Sequence, residues 1–504
     1  MIDSPPLIAI KNAQCRIGRQ ALLIVPELEI FAGQRWCVFG GNGSGKSLLT
    51  NLLAGKRVES GSYVQYAEGF NEQQDIHWVS FEEQQRLWQM DNKLDMSEYS
   101  ADAKDTGTSI DALVAGSRCN DETDEVFKSQ LLSDLGLLGI RRQGIRFLSS
   151  GQVRRALLAR ALYAQRGTNP QVIILDDPFE TLDIASKQAI SDCVESSGAA
   201  STTMIQLCRR RADILPSVSY VAYMNDLRLV AAGPVQEGLN LIDSDYAAGR
   251  AQAHGKPVPQ LGAVKELPAN QPLIELNHIQ ASYGDQVVFS DFSWNMLPGD
   301  HVLVEGPNGC GKSTLLSLLD GDNHKAYGQD VRLFGKRRGS GETVWQVKSY
   351  FGIVSNELHN KYQKGWKVLN VVLSGFFDSV GLYDQNSAKQ SEHALAWLEC
   401  LDLLEFKSCY YEELSFGQQR LVLLARAMIK RPAILILDEP CVGLDDTFRH
   451  KILVLLDTIA RDSATQLIYV SHVADERPVC LNRHLKFVTS PKGGYTIEQE
   501  LIES

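Results

Sequence analysis

The stretch GGNGSGKS at residues 40–47 decides the fold, and GPNGCGKS at residues 306–313 repeats it in the second half of the chain. Both fit the pattern G-x-x-x-x-G-K-[ST], in which the glycines let backbone N–H groups curl around a phosphate without a Cβ clash. In each half a short β-rich run leads into the loop and an apolar helical stretch follows it. The positive N-terminal end of such a helix points at the same anion. This strand–loop–helix context, present twice, predicts two phosphate-binding sites.

The side chains of these loops have predicted roles in holding ATP and Mg²⁺. We expect Lys46 and Lys312 to reach the β- and γ-phosphates, and Ser47 and Ser313 to hold the magnesium ion. The complete predicted ATP-binding loops are Gly40, Gly41, Asn42, Gly43, Ser44, Gly45, Lys46 and Ser47, and then Gly306, Pro307, Asn308, Gly309, Cys310, Gly311, Lys312, Ser313 and Thr314.

An aspartate closes a continuous apolar run in each half, Asp176 after VIIL and Asp438 after ILIL. Such runs are expected of strands buried on both faces of a parallel sheet, so the fold class is α/β. A carboxylate at the end of a buried strand suits a magnesium ligand. The predicted metal-binding residues are therefore Ser47, Asp176, Ser313 and Asp438.

An internal repeat organises the chain into two domains. The glycine-rich loop, the segment LSSGQ or LSFGQ (beginning at Leu148 and Leu414) and the acidic strand recur in the same order. Between the repeats lies a stretch rich in Pro, Gly and Ala, which we interpret as a linker. The predicted domains are residues 1–238 and 273–504, each a P-loop NTPase domain with a mixed or parallel sheet, and the predicted linker is residues 239–272.

Composition restricts the class of protein. The chain has 504 residues, of which 44% are apolar and 22% charged, so it can bury a sizeable core. Its net charge of -11 argues against coating nucleic acid, and we expect no direct nucleic-acid contact. The ten cysteines are scattered without a CxxC pair, which favours a reducing, cytoplasmic location. Neither a secretory signal nor a run of about 20 apolar residues is evident, so any membrane part is expected on another chain.

With these motifs the chain resembles the ATP-binding-cassette (ABC) ATPases over both halves. The order matches: glycine-rich loop, helical insert, LSxGQ signature, acidic strand, D-loop (residues 180–183 and 442–445) and switch histidine. The resemblance implies a helical subdomain in each half and cassettes paired within the chain or in a dimer, each ATP lying between one loop and the other signature. An LSxGQ segment alone also fits a helix N-cap. The signature residues implied to contact ATP are Ser149, Gly151, Gln152, Ser415, Gly417 and Gln418.

The resemblance also implies that the halves differ in chemistry. Tyr283 occupies the position where the family stacks an aromatic ring on adenine, whereas its counterpart is Ile17. The family's water-polarising glutamate is Glu439 in the second half, and Asp177 in the first half is one methylene shorter. The switch histidine is His472, and its counterpart is Arg209. The implied catalytic residues are Glu439, His472, Asp177 and Lys312.

From these differences we expect the site of the second loop and the first signature to hydrolyse ATP. The site of the first loop is expected to bind ATP and turn it over slowly, because a misplacement near 1 Å can cost on the order of 10²-fold in rate. The alternative is that local adjustment lets Asp177 and Arg209 function adequately. Both halves also lack the family's Gln that links the site to its partner. Phe81 and Asn356 stand there, and the neighbouring Glu82, Glu83 and Gln84, or Glu357, are candidate substitutes.

Within the family the chain resembles twin-cassette proteins associated with molybdenum transport, over segments that begin at Leu333 and Val371. This resemblance implies an ATP-hydrolysing subunit that energises molybdate import through a separate integral membrane permease, on the cytoplasmic face of the inner membrane. The apolar residues 371–383 are either a permease-docking surface or ordinary core. A stand-alone soluble ATPase acting on nucleic acid or ribosomes, and a regulatory module with little turnover, remain alternatives. The short, rather neutral linker weighs against the first alternative, and Glu439 with His472 against the second.

Overall fold

The chain divides into two compact units, which are described separately. They comprise Met1–Ala248 and Gly249–Ser504. The computed structural model describes residues 5–17, 21–56, 63–93, 107–116, 122–164, 170–180, 182, 184–196, 203–252, 256–260, 271–283, 286–320, 328–362, 365–382, 386–471, 477–490 and 493–502.

The first unit is built on a mixed sheet. Its strands are β1 (Ile8–Ile17), β2 (Ala21–Ile30), β3 (Arg35–Phe39), β4 (Val64–Tyr66), β5 (Ile76–Val79), β6 (Val172–Asp176), β7 (Thr203–Cys208), β8 (Tyr220–Asn225) and β9 (Arg228–Pro234). Their order in the sheet is β4-β1-β2-β9-β8-β3-β7-β6-β5. The segment β8-β3-β7-β6-β5 is parallel, whereas β1 pairs antiparallel with β2 and β4. Its helices are α1 (Lys46–Leu53), α2 (Phe81–Lys93), α3 (Ile110–Ala115), α4 (Glu122–Asp134), α5 (Ser150–Ala164), α6 (Ile184–Ser196) and α7 (Val235–Gln252).

The second unit repeats this plan. Its strands are β10 (Ile274–Tyr283), β11 (Gln286–Met296), β12 (Val302–Glu305), β13 (Asp330–Leu333), β14 (Lys336–Arg337), β15 (Phe351–Val354), β16 (Ile434–Asp438), β17 (Gln466–Ser471), β18 (Arg483–Thr489) and β19 (Tyr495–Leu501). They form one sheet in the order β14-β13-β10-β11-β19-β18-β12-β17-β16-β15. Its helices are α8 (Lys312–Asp320), α9 (Val344–Lys348), α10 (Asn356–Lys361), α11 (Val368–Leu373), α12 (Ala388–Cys400), α13 (Phe416–Met428) and α14 (Asp446–Asp462).

Burial explains this architecture. The four apolar residues of β6 and of β16 are all buried, and both strands lie within the parallel part of their sheet. Both faces are therefore covered, as continuous apolar strands require. In each unit helices from the insert pack on the helix that follows the signature, α3 and α4 on α5, and α11 and α12 on α13. The α/β fold with a helical subdomain in each half is thus confirmed.

The predicted linker, residues 239–272, is wrong in its first part. Residues 239–252 belong to the helix α7, and Leu239, Ile242 and Tyr246 pack on the core of the first unit. Their spacing of three and four residues is the helical period, which the Gly- and Ala-rich composition obscured. At residues 256–260 the chain already packs on the second unit, where Val258 is buried. The rest of the predicted linker up to residue 270 lies outside the described residues.

Candidate nucleotide sites

The lysine of each glycine-rich loop is folded back on its own loop. Lys46 is buried, and its Nζ donates to the carbonyl oxygens of Gly40 at 2.7 Å and Gly41 at 2.8 Å. In the second unit Lys312 Nζ donates at 2.8 Å and 2.9 Å to the carbonyl oxygens of Gly306 and Pro307. The ammonium groups are therefore held over the concave side of each loop, as a phosphate site requires.

Glycine is needed at defined points of these loops. Gly45 and Gly311 have φ of +99° and +103°, in the left-handed region that side chains rarely adopt, and the next residue begins a helix. A Cβ at Gly40 would lie 2.4 Å from the carbonyl oxygen of Met224, and one at Gly306 would lie 2.6 Å from Phe487 Cβ. Both loops thus pass too close to a neighbouring strand for a side chain at these glycines.

The aspartates that end β6 and β16 have perturbed acidity. Burial, and then the neighbouring Glu439 carboxylate, raise the pKa of Asp438 to about 6, although Lys312 opposes the shift. Burial and Asp177 raise the pKa of Asp176 to about 6 in the same way. A cation would relieve the repulsion within each pair of carboxylates.

In the second unit two predicted magnesium ligands are in contact, because the Ser313 hydroxyl donates a hydrogen bond to the Asp438 carboxylate. The two groups offer oxygen donors, which Mg²⁺ prefers. The residues present therefore fit a magnesium ion.

The residue after each aspartate has an unusual backbone. Asp177 and Glu439 have φ of +43° and +51°, which non-glycine residues adopt rarely and at a cost. Each N–H also bonds to the neighbouring strand, at 3.3 Å to Leu207 O and 3.2 Å to Val470 O. The two residues are thus equivalent in three dimensions, and both main chains are strained in the same way.

In the first unit the Asp177 carboxylate is engaged by Arg209. The guanidinium Nη2 lies 3.0 Å from Asp177 Oδ2 and 2.7 Å from Glu180 Oε2. Burial lowers the pKa of Arg209, and the two carboxylates raise it by more, so that the pKa lies above its usual value. One guanidinium therefore holds the carboxylates of Asp177 and Glu180 together.

Arg154, which sequence reasoning missed, holds the main chain of the same segment. Its Nη1 donates to the carbonyl oxygens of Asp177, Pro178 and Glu180, the last at 2.7 Å. The sequence signal was available, since an arginine stands at the same place after each signature, as Arg154 and Arg420.

Of two residues predicted at the second site, one lies outside the described residues and the other is described by its main chain alone. His472 lies outside the described residues and follows Ser471, the last residue of β17, as Arg209 follows the last residue of β7. Tyr283 ends β10, and neither its side chain nor that of Ile17 is among the described side chains. Their roles stay predictions.

The signature serines cap helices within their own units. Ser415 is the N-cap of α13 and forms a capping box with Gln418. In the first unit the Gln152 N–H likewise donates to Ser149 Oγ at 3.3 Å, and the Ser149 N–H donates to Gln152 Oε1 at 2.8 Å. Glycine is needed beside the second box, since a Cβ at Gly417 would lie 2.2 Å from the Phe448 ring. These motifs therefore shape the start of their helices, and their contacts with ATP remain a prediction.

The apolar segment from residue 371 is core. Residues 371–375 are buried, and Phe376, Val380 and Leu382 pack partly on the same cluster. Arg426 Nε donates to Tyr362 Oη at 2.9 Å and Arg426 Nη2 to Ser379 O at 3.0 Å, which fixes the turn.

These features define a tandem P-loop ATPase, and comparisons with known proteins give its family. The sequence profile described as "ABC transporter" matches residues 25–180 and 289–442. The ABC transporter ATP-binding protein ModF of Escherichia coli is 36% identical over 95% of this chain and 96% of its own length. An uncharacterized ABC transporter ATP-binding protein of Schizosaccharomyces pombe is 27% identical over 90% of this chain and 92% of its own. The chain belongs to the ABC transporter family of ATP-binding proteins, and it binds and hydrolyses ATP.

Solved structures support the tandem fold. An archaeal ribosome recycling factor, solved with a ribosomal stalk protein, has a TM-score of 0.62 at 16% identity, covering 96% of this chain and 89% of that one. An RNase-L inhibitor has a TM-score of 0.58 at 15% identity over 97% and 90%. Likeness at this identity concerns the fold alone. Among the described residues, no helix is both long and apolar enough to cross a membrane.

Proposed function

We propose that the two cassettes divide the work, the second phosphate loop hydrolysing ATP and the first holding it with slow turnover. The observation that carries this proposal is the Arg209–Asp177 ion pair, which occupies the carboxylate of the first cassette. Glu439 reaches one methylene further, and the residue equivalent to Arg209 is a histidine, which is not permanently charged.

In the proposed mechanism the residues of the second cassette act as follows. The loop N–H groups and Lys312 bind the phosphates, which requires the ammonium to leave its own loop carbonyls. Ser313 and Asp438 would hold Mg²⁺, which when bound neutralises charge on the phosphate oxygens. Glu439 orients and deprotonates the attacking water, and His472 contacts the γ-phosphate.

We further propose composite sites, in which a signature completes the loop of the other cassette, within one chain or in a dimer. Ser149, Gly151 and Gln152 would complete the second loop, and Ser415, Gly417 and Gln418 the first. The exposed position of Ser149 and the matching capped geometry support this role.

Retained nucleotide tests the division of labour. After incubation with Mg²⁺ and radiolabelled ATP, rapid gel filtration is expected to recover intact ATP on the wild-type chain. Lys46→Ala should lose that retained ATP, whereas Lys312→Ala should keep it and lose about 100-fold in steady turnover. If Lys312→Ala lost the retained ATP and Lys46→Ala kept it, the slow site would lie in the second cassette, contrary to the proposal.

For the biological process, we propose that the chain energises molybdate import through a separate membrane permease, on the cytoplasmic face of the membrane. The full-length likeness to ModF supports this proposal. A role on ribosomes is the second candidate, favoured by the tandem architecture that the recycling factor shares. Gentle purification from detergent-solubilised membranes should recover a permease chain. Recovery with sedimented ribosomes, and not with membranes, would overturn the transport proposal.

A further inference from the structure

Arg154 and Arg420 occupy the same place in the two cassettes but bind different partners. Both are almost fully buried, on α5 and α13. Arg154 donates to three main-chain carbonyl oxygens of residues 177–180, the segment that carries the strand-end carboxylate. Arg420 Nη2 donates instead to Asn356 Oδ1, and its guanidinium lies 5.0 Å above the Phe416 ring.

The position of Arg420 leaves part of its guanidinium unsatisfied. Its Nε and Nη1 are buried and have no hydrogen-bond partner among the described residues. Buried N–H groups without a partner are costly, so an arrangement that supplies acceptors competes with the one observed. The carbonyl oxygens that Arg154 uses in the first cassette correspond to those of residues 439–442 in the second.

The side chain at the start of the insert, Phe81 or Asn356, explains why the two arginines have different hydrogen-bond partners. Phe81 and Asn356 are equivalent, because each is the first helical residue after β5 or β15, behind a serine whose Oγ accepts a backbone N–H. Phe81 has no oxygen to accept from an arginine, and its side chain is 49% exposed. Arg154 therefore has the carbonyls alone, whereas Arg420 has two sets of acceptors.

We propose that Arg420 is a positioning residue for ATP hydrolysis, exchanging between Asn356 and the main-chain carbonyl oxygens of residues 439–442. This inference rests on the proposed function, in which Glu439 orients the water. While Arg420 is bound to Asn356, the segment that carries Glu439 is held by Arg449, whose Nη2 donates to Cys441 O at 3.2 Å, and lacks the second arginine contact that Arg420 would add. When Arg420 moves onto the carbonyls, the segment is fixed as residues 177–180 are in the first cassette. Asn356 thus keeps the catalytic carboxylate adjustable.

Asn356→Phe in the full-length chain copies the first cassette and tests the exchange. Arg420 should then stay on the carbonyls. We expect kcat to fall about tenfold while the KM for ATP changes less than about twofold, because positioning and not binding is affected. Hydrogen exchange of the amides at residues 439–445 should slow. Lys361→Ala, an exposed change on the same helix, is the control. Unchanged kcat and exchange in Asn356→Phe would overturn the proposal.

A second substitution separates exchange from simple damage to the fold. Lysine lacks the planar fork that spans several carbonyls, so Arg420→Lys in the Asn356→Phe background should restore fast exchange and part of kcat. Additive losses in the double variant would contradict the proposal. Glu439→Gln distinguishes a failure of this inference from a failure of the proposed function. If it retains turnover, the proposed function fails. If it abolishes turnover while Asn356→Phe is neutral, only this inference fails.

Discussion

Single side chains show where the molecule departs from a symmetrical repeat. Asp177 and Glu439 share the same strained backbone, and Asp177 is paired with an arginine that follows the next strand, where the sequence of the second half has a histidine. The sequence predicts this difference in part, because it shows Arg209 where the family has histidine. It could not predict that the guanidinium would reach both Asp177 and Glu180, since that contact depends on the turn after β6.

Gln84, a candidate substitute for the family's missing glutamine, is fully buried, and neither of its side-chain amide atoms has a hydrogen-bond partner in the described part of the chain. A buried polar group without a partner is destabilising, so Gln84→Leu should raise the stability of the first unit by about 1–2 kcal/mol. Thermal unfolding would show a higher midpoint for the first unit. Gln85→Leu, at an exposed neighbour, is the control and should have no such effect. A lower midpoint for Gln84→Leu would mean that the amide has a stabilising partner.

The raised pKa of Asp438 predicts how magnesium dependence changes with pH. With a pKa of about 6, this carboxyl is mostly ionised at pH 7 and mostly protonated at pH 5. Because Mg²⁺ binds the ionised form, its apparent affinity should fall about tenfold between these pH values. Mg²⁺ titrations of ATP turnover at both pH values measure this change. Asp438→Asn should bind Mg²⁺ more weakly and lose this contribution to the pH dependence, and an unaltered pH dependence would count against Asp438 as a ligand.

Among the helices and strands, the strongest sequence signals give the most reliable elements. The glycine-rich loops and the apolar runs before Asp176 and Asp438 fix β3, β6, α1 and their repeats, because their chemistry is local. The helix α7 was missed, since polar residues such as Asn240, Asp243 and Asp245 separate its apolar residues, and its packing partners lie far away in sequence. The sequence alignment places α2 and α10 at equivalent positions. It could not predict that Arg420 of the signature helix bonds to Asn356 in the second half alone, because that bond depends on tertiary contacts.

Packing of α7 on the first unit can be tested with adjacent residues. Ile242 is 1% exposed and Leu241 is 46% exposed. Ile242→Ala should destabilise the first unit by about 2–4 kcal/mol, because the cavity adds to the lost burial, whereas Leu241→Ala should cost less than about 1 kcal/mol. Urea unfolding followed by tryptophan fluorescence gives both values. Equal, small losses of stability in the two variants would contradict the packing of α7 and favour the interpretation of residues 239–248 as linker.

For the whole molecule, the repeat provides two glycine-rich loops, two strand-end aspartates and two signatures, and among the described residues the cassettes differ beside Asp177 and Asn356. We propose that these duplicated parts divide the chemistry, with hydrolysis in the second cassette. This duplication also supplies matched controls, because each substitution in one cassette has an equivalent in the other.

The composite-site proposal predicts unequal effects of the two signature serines. Ser149 and Ser415 both cap a helix with similar bonds, so the loss of the cap should cost about 1 kcal/mol in either variant. Ser149→Ala should also lower steady ATP turnover about tenfold, because it removes a contact to the hydrolysing site, whereas Ser415→Ala should lower it less. A larger loss from Ser415→Ala would reverse the proposed pairing of loops and signatures.

The most direct measurement of the division between cassettes is the kcat for ATP in Glu439→Gln and Asp177→Asn, each compared with the wild-type chain. We expect Glu439→Gln to lower kcat by about 100-fold or more, because it removes the carboxylate that orients the water. Asp177→Asn should lower kcat less than about threefold, since that carboxylate is already engaged by Arg209. Equal losses from the two substitutions would contradict the division.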